Sequence, residues 1–202
     1  SYRHLPERPI SFEIGRIEDK SEVARSAYPR RHTFFEILWL DEGNGTHFVD
    51  FKGYPIQPKT LYFIKPYQVH YWAIETPISG YAIIFEEEFF IKWAGTFFDG
   101  VEFFQIINNV TAVYLPKDEA KIIDSTVHLL AKEYAEGQYR YTEAIVGLMQ
   151  FLLIWAQRFT VEEWQSVPGN AKEQLTQQFL VLLEANFKEQ HSPKWYAQKL
   201  GV

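Results

Sequence analysis

The sequence predicts an α+β protein in which a β-sandwich or barrel precedes a set of helices. Two observations carry this expectation. Between residues 33 and 85, short runs of branched and aromatic residues recur about every 8–12 residues, with glycine and proline turns between them. Beyond residue 116 the apolar period lengthens from two to between three and four, the spacing of one helix face. A length of 202 residues suits one large domain, or one domain and a piece of another.

Taken in order, a pair of strands is expected around Ile10–Ile17. Residues 33–40 read as a strand that stops at the turn signal Asp41-Glu42-Gly43-Asn44-Gly45. Thr46–Phe51 alternates and ends at Gly53. Thr60–Ile64 lies between Pro58 and Pro66, His70–Ile74 between Pro66 and Pro77, and Gly80–Phe85 is a further apolar strand. Residues 86–106 are aromatic-rich and read as short helices, with Trp93, Phe97, Phe98, Phe103 and Phe104 plugging an open end. Glu86-Glu87-Glu88 reads as a solvated turn or helix start. From Lys117 to Glu136, Ile123, Val127, Leu130 and Tyr134 form a helical stripe, and from Tyr141 to Phe159, Ile145, Met149, Leu152, Ala156 and Phe159 form another. The second helix is also apolar at Leu148, Phe151 and Trp155, so it is expected to be buried twice, the second time in a dimer. Pro168-Gly169 marks a linker. A third helix follows through Leu175, Phe179, Leu182 and Phe187, and Ser192-Pro193 starts a fourth that Gly201 is placed to end.

Composition excludes several classes of function. Hydrophobic residues make up 47% of the chain, enough for a core, and charged residues 23%, which argues against disorder. No apolar run approaches the roughly 18 residues needed to span a membrane. There is no signal-peptide pattern. With no cysteine, disulfides, thiolate metal sites and cysteine nucleophiles are excluded, which fits a cytoplasmic location. A net charge of −6 opposes general adhesion to nucleic acid or anionic lipid.

The most specific spacing is Arg30-x-His32, three residues, Glu36, six residues, Gly43. It is similar to the first motif of the cupin superfamily, and Pro66-Tyr67-Gln68-Val69-His70 resembles the end of the second. In metal-binding cupins two first-motif histidines, the glutamate and the final histidine are ligands. Here the first of these positions is Arg30, a permanent cation that repels a divalent metal. A period of two places His32, Phe34, Glu36 and Leu38 on one strand face. The expected site is therefore one for a small polar organic molecule, with no metal and no cofactor. It is edged by Arg30, His32, Glu36 and His70 and walled by Phe34, Phe48 and Tyr62. His32 or His70 is expected to make binding pH-dependent near neutrality. His47 reads as a surface or edge residue. No Gly-rich phosphate loop, nucleophile elbow or His-Glu-x-x-His motif is present.

The order of these parts resembles transcriptional regulators of the AraC type, the arabinose-regulator family. The stretches that carry the match are His32–Glu36 leading to Gly43-x-Gly45-Thr46, then Pro66-x-Gln68-Val69-His70, then Gly80-Tyr81 on to Phe85 and Phe89. At the far end Ala197-x-x-Leu200-Gly201-Val202 resembles the first helix and turn of a helix-turn-helix. The resemblance implies a cupin-like β-barrel (a double-stranded β-helix) that binds an effector over residues 1–115. It implies a helical dimerisation segment over 116–165, a linker at 166–171 and the start of a helix-turn-helix domain at 172–202. It also implies a homodimer, no enzymatic activity, and promoter DNA as a partner of the full-length protein. The chain begins at Ser1 and stops before a recognition helix, and a fragment of a longer protein is expected. Residues 172–202 carry four basic and three acidic side chains, a net of +1, so DNA binding is not expected of this part alone. The alternative reading is a metal-dependent cupin enzyme, an isomerase or dioxygenase.

Overall fold

Two long strands set the architecture. β2 (Phe35–Val49) and β5 (His70–Phe85) run antiparallel along almost their whole lengths, from Phe35 opposite Phe85 to Val49 opposite His70. β1 (Phe12–Arg16) pairs with β5, and β4 (Thr60–Ile64) with the first half of β2. β6 (Ala112–Tyr114) extends the sheet beyond β4, and β3 (Lys52–Ile56) pairs with the second half of β2. All pairings are antiparallel and the order is β1-β5-β2-β4-β6, with β3 on β2. The protein is α+β, its sheet that of a cupin-like barrel. The computed structural model describes residues 12–19, 27–86, 88–89, 110–159, 179, 182–183, 186–187 and 189–202. Trp93, Phe97, Phe98, Phe103 and Phe104, the linker at 166–171 and Leu175 lie outside the described residues.

The glycine-rich segment after Leu40 does not turn. β2 passes straight through Asp41–Gly45 with register shifts against β5 at Leu40/Glu42, Glu42/Asn44 and Asn44/Gly45. These are β-bulges, and the glycines serve close approach of two strands rather than reversal of one. Gly45 has φ +142°, and a Cβ there would sit 2.2 Å from the Ala73 carbonyl oxygen. Gly80 has φ +149°, and its Cβ would sit 2.0 Å from that of Trp39. Pro77 lies in the irregular stretch of β5, where proline costs no ladder bond, so it does not end the strand. The true reversal is Asp50-Phe51, a two-residue hairpin loop with φ of 47° and 68°. β1 is the described strand of the pair expected around Ile10–Ile17, and Ile10 and Ser11 lie outside the described residues.

The bulges reverse the strand's parity. Before them Glu36, Leu38 and Leu40 face one way, while Phe35, Ile37 and Trp39 face the other. After them the odd positions, His47 and Val49, are buried on the side of Leu38 and Leu40. One core is thus formed by Leu38, Leu40, Val49, Tyr62, Ile64 and Trp72 among others. The opposite face, with Ile37, Trp39, Phe63 and Phe85, packs on two helices.

Helix α1 (Lys117–Glu136) buries Ile123, Val127 and Leu130, and α2 (Tyr141–Arg158) buries Ile145, Met149, Leu152 and Ala156, as the stripes predict. Tyr134 and Phe159 are partly buried against the same core. Each fully buried aliphatic side chain of this kind stabilises the fold by roughly 1.5–3 kcal/mol. Gly137 ends α1 in the left-handed conformation, its N–H donating to the Glu133 carbonyl at 3.0 Å. A polar clasp adds to this interface: Trp39 Nε1 donates to Asp124 Oδ1 at 3.0 Å, and Lys59 Nζ reaches both Asp124 and Asp41 at 3.3 Å.

The chain divides into two compact units, Ser1–Thr160 and Val161–Val202. In the second, α3 (Pro193–Leu200) starts after Ser192 in extended conformation and closes at Gly201 in the left-handed one. Tyr196 is buried there and donates its hydroxyl to the Gln190 carbonyl at 2.7 Å.

Candidate functional site

Backbone pairing brings Arg30, His32 and His70 together. Arg30 and His70 exchange both backbone hydrogen bonds, at 3.0 and 2.9 Å, and the Tyr67 N–H donates to the His32 carbonyl at 2.7 Å. The Pro66–Val69 turn is held from the side by Asp50. Its carboxylate accepts from Gln68 Nε2 at 2.8 Å and from the Val69 N–H at 3.2 Å. This fixes the start of β5, and with it the His70 ring, against the β2–β3 hairpin.

The side chains converge on one cluster. His32 stacks on Phe34 with ring centroids 4.1 Å apart, and its Nδ1 lies 2.7 Å from the Phe34 carbonyl oxygen. Its Nε2 faces Glu36 Oε2 at 3.5 Å, and both atoms are buried with no hydrogen-bond partner. Arg30 Nε donates to His70 Nε2 at 3.3 Å. His70 and His47 are fully buried, and His70 Nδ1 meets His47 Nε2 at 3.2 Å. His47 lies flat on Trp72 at 3.9 Å and edge-on to Tyr62 at 5.1 Å. The Tyr62 hydroxyl donates to the Pro55 carbonyl, so the ring faces the cluster while its polar atom is engaged elsewhere.

Of the residues expected at the site, the structure brings together Arg30, His32, Phe34, Glu36, Tyr62 and His70. It does not bring Phe48 there. Phe48 sits on the other face of β2, stacked on Tyr71 at 4.7 Å, because the bulges have turned the strand over. For the same reason His47 is not a surface residue but a buried member of the cluster, and Trp72 joins it. A two-residue period interrupted at Gly43 and Gly45 is the signal that could have found them.

Burial disfavours the ionised form of Glu36, but His32, His70 and Arg30 outweigh it and hold the carboxyl at about 2. Burial pushes His70 down to about 4, with Arg30 and His32 adding to the effect and Glu36 opposing it. Burial likewise pushes His47 well below the usual histidine range. At neutral pH the cluster therefore holds one guanidinium, one carboxylate and a neutral His70–His47 pair. This corrects the expectation for His70, which does not titrate near neutrality. The ligand atoms of His32, Glu36 and His70 lie within 4.8 Å of one another, close enough to share a metal ion or one polar group of a ligand.

On the second side of α2, Phe151 and Ile154 are each 41% exposed, and Leu148 and Trp155 are half-buried. Phe151 stacks on Trp155 at 5.6 Å, and the Arg158 guanidinium lies 4.5 Å above the Trp155 ring. Among the described residues no helix is long and apolar enough to cross a membrane.

A family model described as the AraC-like ligand binding domain matches residues 17–133. No curated protein matches the sequence. Among solved structures, that of the AraC-like transcriptional activator CuxR aligns with 95% of this chain at 10% identity and a TM-score of 0.44. This chain spans 63% of the length of that structure. An apo ToxT variant from Vibrio cholerae strain SCE256 aligns with 97% of this chain and 72% of its own, at 12% identity and a TM-score of 0.44. Wild-type ToxT of the same strain, bound to an unsaturated fatty acid, aligns with 95% and 69%, at 12% identity and a TM-score of 0.42.

Proposed function

Because the chain belongs to the AraC-like ligand binding domain family, we propose that it is the effector-sensing and dimerisation region of a DNA-binding transcriptional regulator. In this reading residues 1–115 bind a small polar organic effector, residues 116–165 pair two copies, and residues 172–202 begin the DNA-binding domain after a linker at 166–171. The regulator works in the cytoplasm, has no catalytic role, and meets promoter DNA only as a full-length protein.

One observation carries the ligand-binding part. His32 Nε2 and Glu36 Oε2 face each other at 3.5 Å, buried and without hydrogen-bond partners. Leaving such groups unsatisfied costs roughly 1–3 kcal/mol each, and a ligand donor that reaches the Glu36 carboxylate recovers part of it. Arg30, His70, Phe34 and Tyr62 complete the site around them. On the helix side bearing Leu148, Phe151 and Trp155, Leu148 and Trp155 pack partly on the chain's own core, and exposed Phe151 and Ile154 support the dimer, since exposed apolar surface favours a covering partner.

A metal-dependent cupin enzyme, an isomerase or dioxygenase, is the second reading, favoured by the closeness of the His32, Glu36 and His70 ligand atoms. Against it stands Arg30, whose fixed charge and Nε–H occupy the His70 Nε2 lone pair that a metal would need. Native mass spectrometry with elemental analysis of the purified chain separates the two. The sensor reading expects a dimer that takes up organic mass. Near one equivalent of iron, zinc or nickel per chain overturns it in favour of the enzyme.

A further inference from the structure

Hydrogen-bond direction around the histidines defines the chemistry of the missing partner. A guanidinium can only donate, so the Arg30 Nε–H makes His70 Nε2 an acceptor and leaves the proton of the neutral His70 ring on Nδ1. That proton points at His47 Nε2, 3.2 Å away, and His47 must then carry its own proton on Nδ1. His47 Nδ1 is buried and has no partner. Neither has Nε1 of Trp72, whose ring lies parallel to His47 with centroids 3.9 Å apart. Two buried N–H donors therefore leave one aromatic stack with nothing to accept them.

The opposite end has the opposite polarity. The Phe34 carbonyl can only accept, so it takes the Nδ1 proton of His32 and holds the ring by that edge. Facing Nε2 of the ring is the unpartnered Glu36 Oε2. Ring-centroid steps of 5.0 Å from His32 to His70 and 5.4 Å from His70 to His47 separate the acceptor end from the donor end. The charges of Arg30 and Glu36 cancel, so a ligand bringing a net charge into this buried space would leave it unpaired.

We propose that His47 and Trp72 form the acceptor-binding end of the barrel site. The effector is then a small molecule of no net charge, presenting a carbonyl or hydroxyl oxygen to these two N–H groups and an O–H or N–H donor to Glu36. This rests on the reading of the barrel as an effector site, and it names the ligand class, which that reading leaves open.

The test uses the purified chain with nitrogen-15 in its histidine and tryptophan side chains, followed by NMR. His47 and His70 are expected in the Nδ1–H tautomer; His47 in the Nε2–H form overturns the proposal. The probes are a matched pair, δ-hydroxyvaleramide and δ-hydroxyvalerate, which differ in the charge of the terminal group. The amide is expected to shift the His47 Nδ1–H and Trp72 Nε1–H signals saturably and to bind at least about tenfold more tightly than the carboxylate. Trp72→Phe keeps the stack and removes the N–H, and is expected to weaken the amide about five- to tenfold with the His47 signals retained. Equal binding of the two probes, or binding of neither, overturns the ligand class. Organic mass in native mass spectrometry while the His47 and Trp72 signals stay unmoved also overturns it, and leaves the sensor reading standing.

Discussion

His70 and His47, diagonal neighbours on adjacent strands, are joined ring to ring by a 3.2 Å contact from Nδ1 to Nε2, and both are fully buried. Neither ring can take up a second proton without placing a charge where water does not reach. This makes the barrel sensitive to acid well above the range in which carboxylates titrate.

The expected pH dependence follows from His70. Unfolded, the ring protonates near 6.5; folded, it stays neutral down to about 4. The folded pKa is lowered, so the unfolded state binds more protons in that window and stability falls as pH drops through it. His70 alone accounts for on the order of 3 kcal/mol across the window. Thermal melts from pH 7 to 4 are expected to show a progressive fall, reduced in His70→Gln; a flat profile would sink the assignment.

Glu36→Gln removes the carboxylate that balances Arg30. Glu36 is held ionised at about 2, so its contribution is present above the unfolded carboxyl pKa and is lost as pH falls toward 2. Breaking one side of a buried charge pair is strongly destabilising, and with part of Arg30 solvent-accessible a loss of about 2–3 kcal/mol at neutral pH is expected in urea unfolding.

Helix and barrel were legible to different degrees in the sequence. The stripes through Ile123, Val127 and Leu130 and through Ile145, Met149 and Leu152 repeat without interruption, so the helical period was readable and those faces are the buried ones. The cluster of Arg30, His32, Glu36 and His70 was readable because its spacing lies within one strand and one turn. The second half of β2 was not. Asp41–Gly45 carries the residues of a turn, yet each glycine accommodates a backbone carbonyl or an Ile78 atom from the facing strand, contacts that only the fold supplies. A bulge changes which side every later residue faces, and so Phe48 and His47 exchanged roles. The real hairpin, at Asp50-Phe51, lacks the glycine that usually announces positive φ.

Gly80→Ala tests that account of the bulge. The added methyl would meet the Trp39 carbonyl oxygen at 2.0 Å with φ at +149°, and the facing backbone belongs to the central strand and cannot move alone. A loss of about 3 kcal/mol or more is expected in denaturant unfolding, against a gain of about 0.5–1 kcal/mol for Gly147→Ala, which lies exposed within α2 and whose Cβ meets nothing within 4 Å.

Asp124 is the acceptor for both Trp39 and Lys59, and burial of its carboxyl is outweighed by these two donors, which hold its pKa down. Asp124→Ala leaves the Trp39 indole N–H without a protein partner where β2 meets α1. A loss of about 1–3 kcal/mol is expected. Asp124→Asn keeps an acceptor for the indole and should restore part of it, a difference that equilibrium urea unfolding resolves.

The last expectation concerns the second side of α2. A helix that packs on its own core through Ile145, Met149, Leu152 and Ala156, with Trp155 partly buried against the same core, has no internal need for exposed Phe151 and Ile154. Exposed Phe151 stacks on half-buried Trp155, with Arg158 over the indole, and Trp155 Nε1 is buried without a partner. At roughly 25 cal/mol per Å² of apolar surface removed from water, covering these side chains yields several kcal/mol. A stable interface usually needs about 800 Å² from each partner, more than one stripe supplies, so α1 must contribute as well, and exposed Leu129 is its apolar candidate. A two-fold axis at α2 makes the same stripe serve both copies. Sedimentation is therefore expected to give twice the 23.8 kDa of the single chain. Phe151→Glu is the milder variant, since that side chain is more exposed than Trp155, and Trp155→Glu the stronger. Both should sediment as monomers with unchanged far-ultraviolet circular dichroism. A wild-type chain that stays monomeric at high micromolar concentration rules the interface out. A dimer that neither variant disturbs places the contact elsewhere on the molecule.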